Sequence, residues 1–118
     1  MNFENLTLEE QNVIYQCLKA TVEGPFFPDW EFSILFGLKR DEVAEILRAW
    51  CDVDRNSKVV QIAINNSLNH LLGYPHKRFD IWNDYILVSP SEVAEIFRKY
   101  RNDNSFESGG RGYFNRLI

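Results

Sequence analysis

Asn65, Asn66, Ser67, Asn69 and His70 crowd one short stretch of an otherwise aliphatic segment. Asn and Ser are weak helix formers because their side chains compete for backbone hydrogen bonds, so a helix that carries this many uses them for something. Asn66 and His70 are four apart and share a helix face, as do Asn65 and Asn69. Amides and an imidazole so placed either satisfy buried polar groups or line a polar site for a partner or ligand, and both readings stand at this point. His70 and His76 are the only histidines, and two without a third ligand make no metal site.

Other constellations stop short of chemistry. Asp52-Val53-Asp54-Arg55-Asn56-Ser57 copies the opening of a calcium loop, but Ser57 stands where the turn needs Gly and Ala63 where the loop needs Glu. The pairs Glu42/Glu45 and Glu92/Glu95 lack the His three residues after Glu that di-iron bundles use, and Arg48 and Arg98 suit them as surface ion partners. No Ser/His/Asp or Cys/His arrangement is legible. The expectation is a protein with no catalytic residue, no metal and no cofactor.

Charge is unevenly spread. Residues 1–54 hold eleven acids and four bases, net -7, and residues 55–118 hold six acids and nine bases, net +3, for -4 overall. An acidic first half repels phosphate and suits a basic protein partner, for which Asp29, Glu31, Asp41, Glu42 and Glu45 are the candidate contacts and Trp30 the aromatic anchor. The stretch from Phe32 to Ile46 also fits the core pattern of a helix-turn-helix, with Ser33 against the partner helix and Gly37 in the turn. Its second helix, however, presents Asp41, Glu42 and Glu45, so a nucleic-acid-binding regulator is the alternative rather than the leading reading. Lys77-Arg78, Arg98-Lys99-Tyr100-Arg101, Arg111 and Arg116 gather basic charge late in the chain, as helix C-termini favour.

The elements that must position these residues are helices. With 118 residues, 45% hydrophobic and 25% charged, the chain suits one soluble domain. Thr7-Leu8-Glu9-Glu10 forms a capping box, which predicts a first helix from Leu8 to Glu23 stopped by Gly24. Pro25-Phe26-Phe27-Pro28 is a loop whose aromatics should fold onto the core, or close a homodimer together with Tyr113-Phe114. Further helices are predicted from Asp29 to Phe36, with Asp29 as cap, from Arg40 to Trp50, and from a cap at Asn56 or Ser57 to about Leu72. A short helix is expected over Asp80 to Asp84, and Ser89-Pro90-Ser91-Glu92 starts a last helix to about Arg101. The reading is an all-α, compact single-domain bundle of about five helices over residues 1–101, with a Gly-rich flexible segment over 102–118. Cys17 and Cys51 read as reduced core residues. With neither a basic start nor an apolar stretch at MNFENLTLEE, and no apolar run of membrane length, a cytoplasmic protein away from the membrane is expected.

Glu42-Val43-Ala44-Glu45-Ile46-Leu47-Arg48 and Glu92-Val93-Ala94-Glu95-Ile96-Phe97-Arg98 match at six of seven positions, fifty residues apart. Two similar helical halves or convergence on common amphipathic residues both explain that echo. The run from Ala63 to His76, most specifically Leu68 to Pro75, together with Phe36-Gly37-Leu38 before Asp41-Glu42-Val43-Ala44, resembles a family of small uncharacterised bacterial proteins found near contact-dependent toxin loci. That resemblance covers residues 30–101 and implies an immunity-type protein that neutralises a partner toxin, with no catalytic residues to carry over. The functional expectation is a non-catalytic protein-binding module.

Overall fold

Thr7 accepts from the Glu10 amide at 3.0 Å and Glu10 accepts from the Thr7 amide at 2.9 Å, closing the capping box that starts the first long helix. The computed structural model describes residues 3–74 and 76–105, the last four by their backbone alone. A 3₁₀ turn at Phe3–Asn5 leads into α1 (Leu8–Glu23), α2 (Asp29–Phe36), α3 (Arg40–Arg48) and α4 (Lys58–Gly73), then a 3₁₀ helix at Phe79–Asp84 and α5 (Pro90–Ser105). No strand occurs among the described residues, and the all-α bundle of five substantial helices is as the sequence predicts.

Two glycines are set by geometry. Gly24 ends α1 where a Cβ would lie 2.7 Å from the Ala20 carbonyl and 2.8 Å from the Phe26 ring, so only glycine lets Phe26 fold back. Gly37 ends α2 with φ +69°, in the left-handed region that glycine enters without strain.

Several boundaries differ from the sequence reading. Pro28 occupies the N-cap of α2, so Asp29 is its first helical residue and pairs with Arg40 instead of capping. α3 stops at Arg48 and hands over to a turn, and that turn leaves Cys51 exposed rather than in the core; Cys17 is fully buried. Ser57 stands at the N-cap of α4 but its side chain makes no cap bond, while the Asn56 side chain accepts from the Phe3 amide at 3.0 Å. α5 runs past Arg101 to Ser105. The expectations for Tyr113-Phe114 and for the rest of 106–118 fall outside the described residues.

The core draws on residues from Phe3 to Tyr100. α1 packs on α4 and α3, and α4 also meets α2 and α5. Phe26 and Phe27, from the loop after α1, are both buried as expected. Phe26 meets the rings of Trp82, Tyr85 and His76 edge-on, and Phe27 meets Phe36 and His70 edge-on and Tyr74 at a tilt. Each such aromatic buries on the order of 150–250 Å², and the edge-to-face geometry adds to that burial.

The two halves follow one plan. Shifting α1 by fifty residues gives the bounds of α4, and shifting the start of α3 gives the start of α5. Every position from 29 to 46 has the same degree of burial as its counterpart from 79 to 96. Small bonds repeat as well: the Lys39 amide donates to Glu42 at 2.7 Å as the Ser89 amide donates to Glu92 at 3.4 Å, and Arg48 pairs with Glu45 as Arg98 pairs with Glu95. The halves differ at α2, whose counterpart is the shorter 3₁₀ helix.

Candidate functional site

The last carbonyls of any helix lack intrahelical donors, and at the end of α2 the polar cluster of α4 supplies them. Asn66 Nδ2 donates to the Phe36 carbonyl at 2.8 Å, and His70 Nε2 lies 2.9 Å from the Leu35 carbonyl. A carbonyl only accepts, so His70 carries its proton on Nε2. Tyr74, at the end of α4, donates its hydroxyl to the Glu31 carboxylate, and that bond raises the tyrosine pKa above its ordinary value. Two side chains of α4 and Tyr74 just past its end therefore hold α2 along its length. Asn65 Nδ2 reaches Asn66 Oδ1 at 3.4 Å, while Asn69 points outward. Of the predicted cluster, Asn66 and His70 bond the last carbonyls of α2, Asn65 joins them through Asn66, and Asn69 is exposed apart from them.

Arg40 holds the opposite end of α2. Its Nη1 donates to the Thr21 and Val22 carbonyls at 3.1 and 2.8 Å, and its Nη2 to the Phe27 carbonyl at 2.8 Å. Its guanidinium sits 4.4 Å over the Phe32 ring and pairs with Asp29 at 2.9 Å. One cation thus serves the last turn of α1, the aromatic loop and the first turn of α2, in the place where a helix C-terminus favours positive charge.

With α2 anchored at both ends, its outer face is left to solvent. Trp30 is 75% exposed and Ile34 is 79% exposed, and their i, i+4 spacing puts them on one ridge. Sequence reasoning singled out Trp30 but missed Ile34, because the apolar residues of Asp-Trp-Glu-Phe-Ser-Ile-Leu-Phe spread around the helix and their periodicity selects no face. The spacing from Trp30 was the available signal. Ser33, expected against the partner helix, is exposed and Leu38, expected in the core, is half-buried, while Phe32, Phe36, Val43 and Ile46 are buried as the helix-turn-helix pattern predicts.

The predicted acidic contacts divide by role. Asp29 and Glu31 flank Trp30 in the first turn of α2, Asp29 paired with Arg40 and Glu31 with Tyr74. Asp41, Glu42 and Glu45 are exposed on α3, with Glu42 bonded to the Lys39 amide and Glu45 to Arg48. Asp29 and Asp41 line one shallow depression between the starts of α2 and α3, together with Lys39 and Arg40.

The fold supplies an internal comparison for the ridge. The counterparts of Trp30 and Ile34, fifty residues on, are Asp80 and Asp84, which are exposed in the same register. The second half thus places charge where α2 places these two side chains, and the exposure of Trp30 and Ile34 means that the packing of α2 does not call for an indole and a branched aliphatic there.

Two clefts of about 510 Å³ each open elsewhere. One lies between α1 and α3, lined by Leu8, Tyr15, Leu47 and Trp50, and the other between α1 and α5, lined by Glu9, Glu10, Glu92 and Glu95 over Val13 and Ile96. Among the described residues, no three His, Cys, Asp or Glu side chains are grouped to hold a metal ion, and no helix is long and apolar enough to cross a membrane. The chain matches no family model, no curated protein and no solved structure.

Proposed function

We propose that this chain is a non-catalytic protein-binding module of the immunity type, which covers and neutralises a basic partner protein through α2 and the adjoining start of α3. The observation that carries the reading is the Trp30–Ile34 ridge: two large apolar side chains held out from a helix whose other contacts fix it rigidly. Exposed aromatics on a rigid element are what binding hot spots are made of, and flanking carboxylates select a partner by charge. The helix-turn-helix alternative is weaker because α3 turns Asp41, Glu42 and Glu45 to solvent, a surface that repels phosphate.

The test is an affinity capture from the native cell at low and moderate salt, using the full chain and the double variant Trp30→Asp, Ile34→Asp. A stoichiometric basic protein captured by the parent and lost with the variant is the expected result. Recovery of nucleic acid, or of the same proteins by both chains, overturns the reading.

A further inference from the structure

The chemistry around the ridge narrows what can cover it. α2 carries Asp29 and Glu31 and no basic residue, and the chain from residue 20 to residue 38 holds Glu23, Asp29 and Glu31 with no Lys, Arg or His at all. Asp29 is 91% exposed even while it touches Arg40. Any segment that buries Trp30 brings its own flanking side chains against these carboxylates, so acidic flanks are repelled and Lys or Arg flanks attracted. The shape is equally restrictive. Two side chains one turn apart form a short ridge along the i±4 direction, and such a ridge seats in the groove between side-chain rows of another helix.

Resting on the protein-binding reading above, we propose that the Trp30–Ile34 ridge docks a basic amphipathic helix of the partner, apolar face inward and Lys or Arg along its edges. The second half serves as the control within the molecule. At the counterpart positions, on the 3₁₀ helix that stands for α2, Asp80 and Asp84 bear charge, so the ridge is not repeated there in the second half.

The probe is a fluorescently labelled synthetic helix of about two heptads, with leucine along one face and lysine along the other, titrated by anisotropy into the full-length chain. Trp30→Asp, Ile34→Asp installs the residues found at the counterpart positions and adds two negative charges. Plain attraction between an acidic protein and a basic peptide therefore strengthens with the variant, whereas docking on the ridge weakens. The expected result is saturable binding that is at least tenfold weaker for the variant, absent for the same helix with glutamate in place of lysine, and lost when the leucines are scrambled off one face. Equal or tighter binding by the variant overturns the proposal, as does binding of the glutamate or scrambled peptide. Self-association of the parent in sedimentation, abolished by the substitutions, also overturns it and assigns the ridge to a second copy of this chain. If the Asp variant does not fold by circular dichroism, Trp30→Gln, Ile34→Gln answers the same question. Failure with the peptide but capture of a protein partner through the ridge rejects the helix and retains the protein-binding reading; failure of both rejects both.

Discussion

Gln11 and Gln61, fifty residues apart, make the same bond: each donates its side-chain Nε2 to the carbonyl five residues upstream, Leu6 at 3.1 Å and Asn56 at 2.8 Å. In each case a residue in the first turn of a long helix pins the chain that enters it. The equivalence reaches down to a single side-chain amide, in segments that otherwise share few residues.

Because the two bonds are alike and far apart in sequence, Gln11→Ala and Gln61→Ala should each cost about 1 kcal/mol, and the double variant should cost their sum. Urea unfolding of the three variants measures this. A double variant that costs clearly less than the sum would show that the halves do not bear these bonds independently.

Arg40→Ala should be among the most damaging single changes in the chain, at about 2–4 kcal/mol, because it strips donors from three backbone carbonyls and uncovers Phe32. Asp29→Ala should leave the urea midpoint close to that of the parent, since its carboxylate is exposed and solvent screens the pair. Arg40→Lys should recover only part of the loss, because a single ammonium cannot reproduce the guanidinium fork. Equal effects of the Asp29 and Arg40 changes would refute this division of labour.

Glu10 gives the chain a predictable acid response. The hydrogen bond from the Thr7 amide, helped by Lys99, holds its pKa below the ordinary glutamate value. A depressed folded-state pKa contributes stability that is present above the unfolded value and lost as the pH falls through the folded one. Glu10→Gln should therefore be less stable than the parent near neutrality, and the gap should close below about pH 4, under the ordinary glutamate pKa. Thermal unfolding of both chains across that range checks the sign, and a gap that widens in acid would contradict it.

The two cysteines should differ sharply towards a thiol reagent. Cys51 is exposed, while Cys17 is fully buried and burial drives its thiol pKa upward, so the native protein should release one equivalent quickly and the second only on unfolding. Two fast equivalents in native buffer would contradict the placement of Cys17.

Where local chemistry decides, the sequence was sufficient. The bounds of α1 follow from the Thr7/Glu10 box and Gly24, and the start of α5 from Ser89, Pro90 and Glu92, because caps act within four residues. Where a bond spans the fold, it was not. Nothing near Asn66 tells that its partner is the Phe36 carbonyl thirty residues away, so packing and ligand binding could not be told apart. Cys51 was misplaced because the apolar stripe of α3 continues to Trp50 in sequence while the helix ends at Arg48. The likeness of the halves showed only between 42–48 and 92–98. Elsewhere what repeats is degree of burial and the length of α1 in α4, which many residue combinations satisfy.

Phe26 and Phe27 sit early in the chain yet lie among Trp82, Tyr85, His70 and Tyr74 from its later part. The halves are thus interlocked at the loop as well as similar in plan. A protease that cuts in the largely exposed connection from Cys51 to Ser57 should sever the backbone without freeing either piece, because the aromatic loop of one is clasped by the other. The nicked molecule should then co-elute as a noncovalent heterodimer of its own fragments in size-exclusion chromatography, since either fragment alone lacks part of the surface its aromatics pack on.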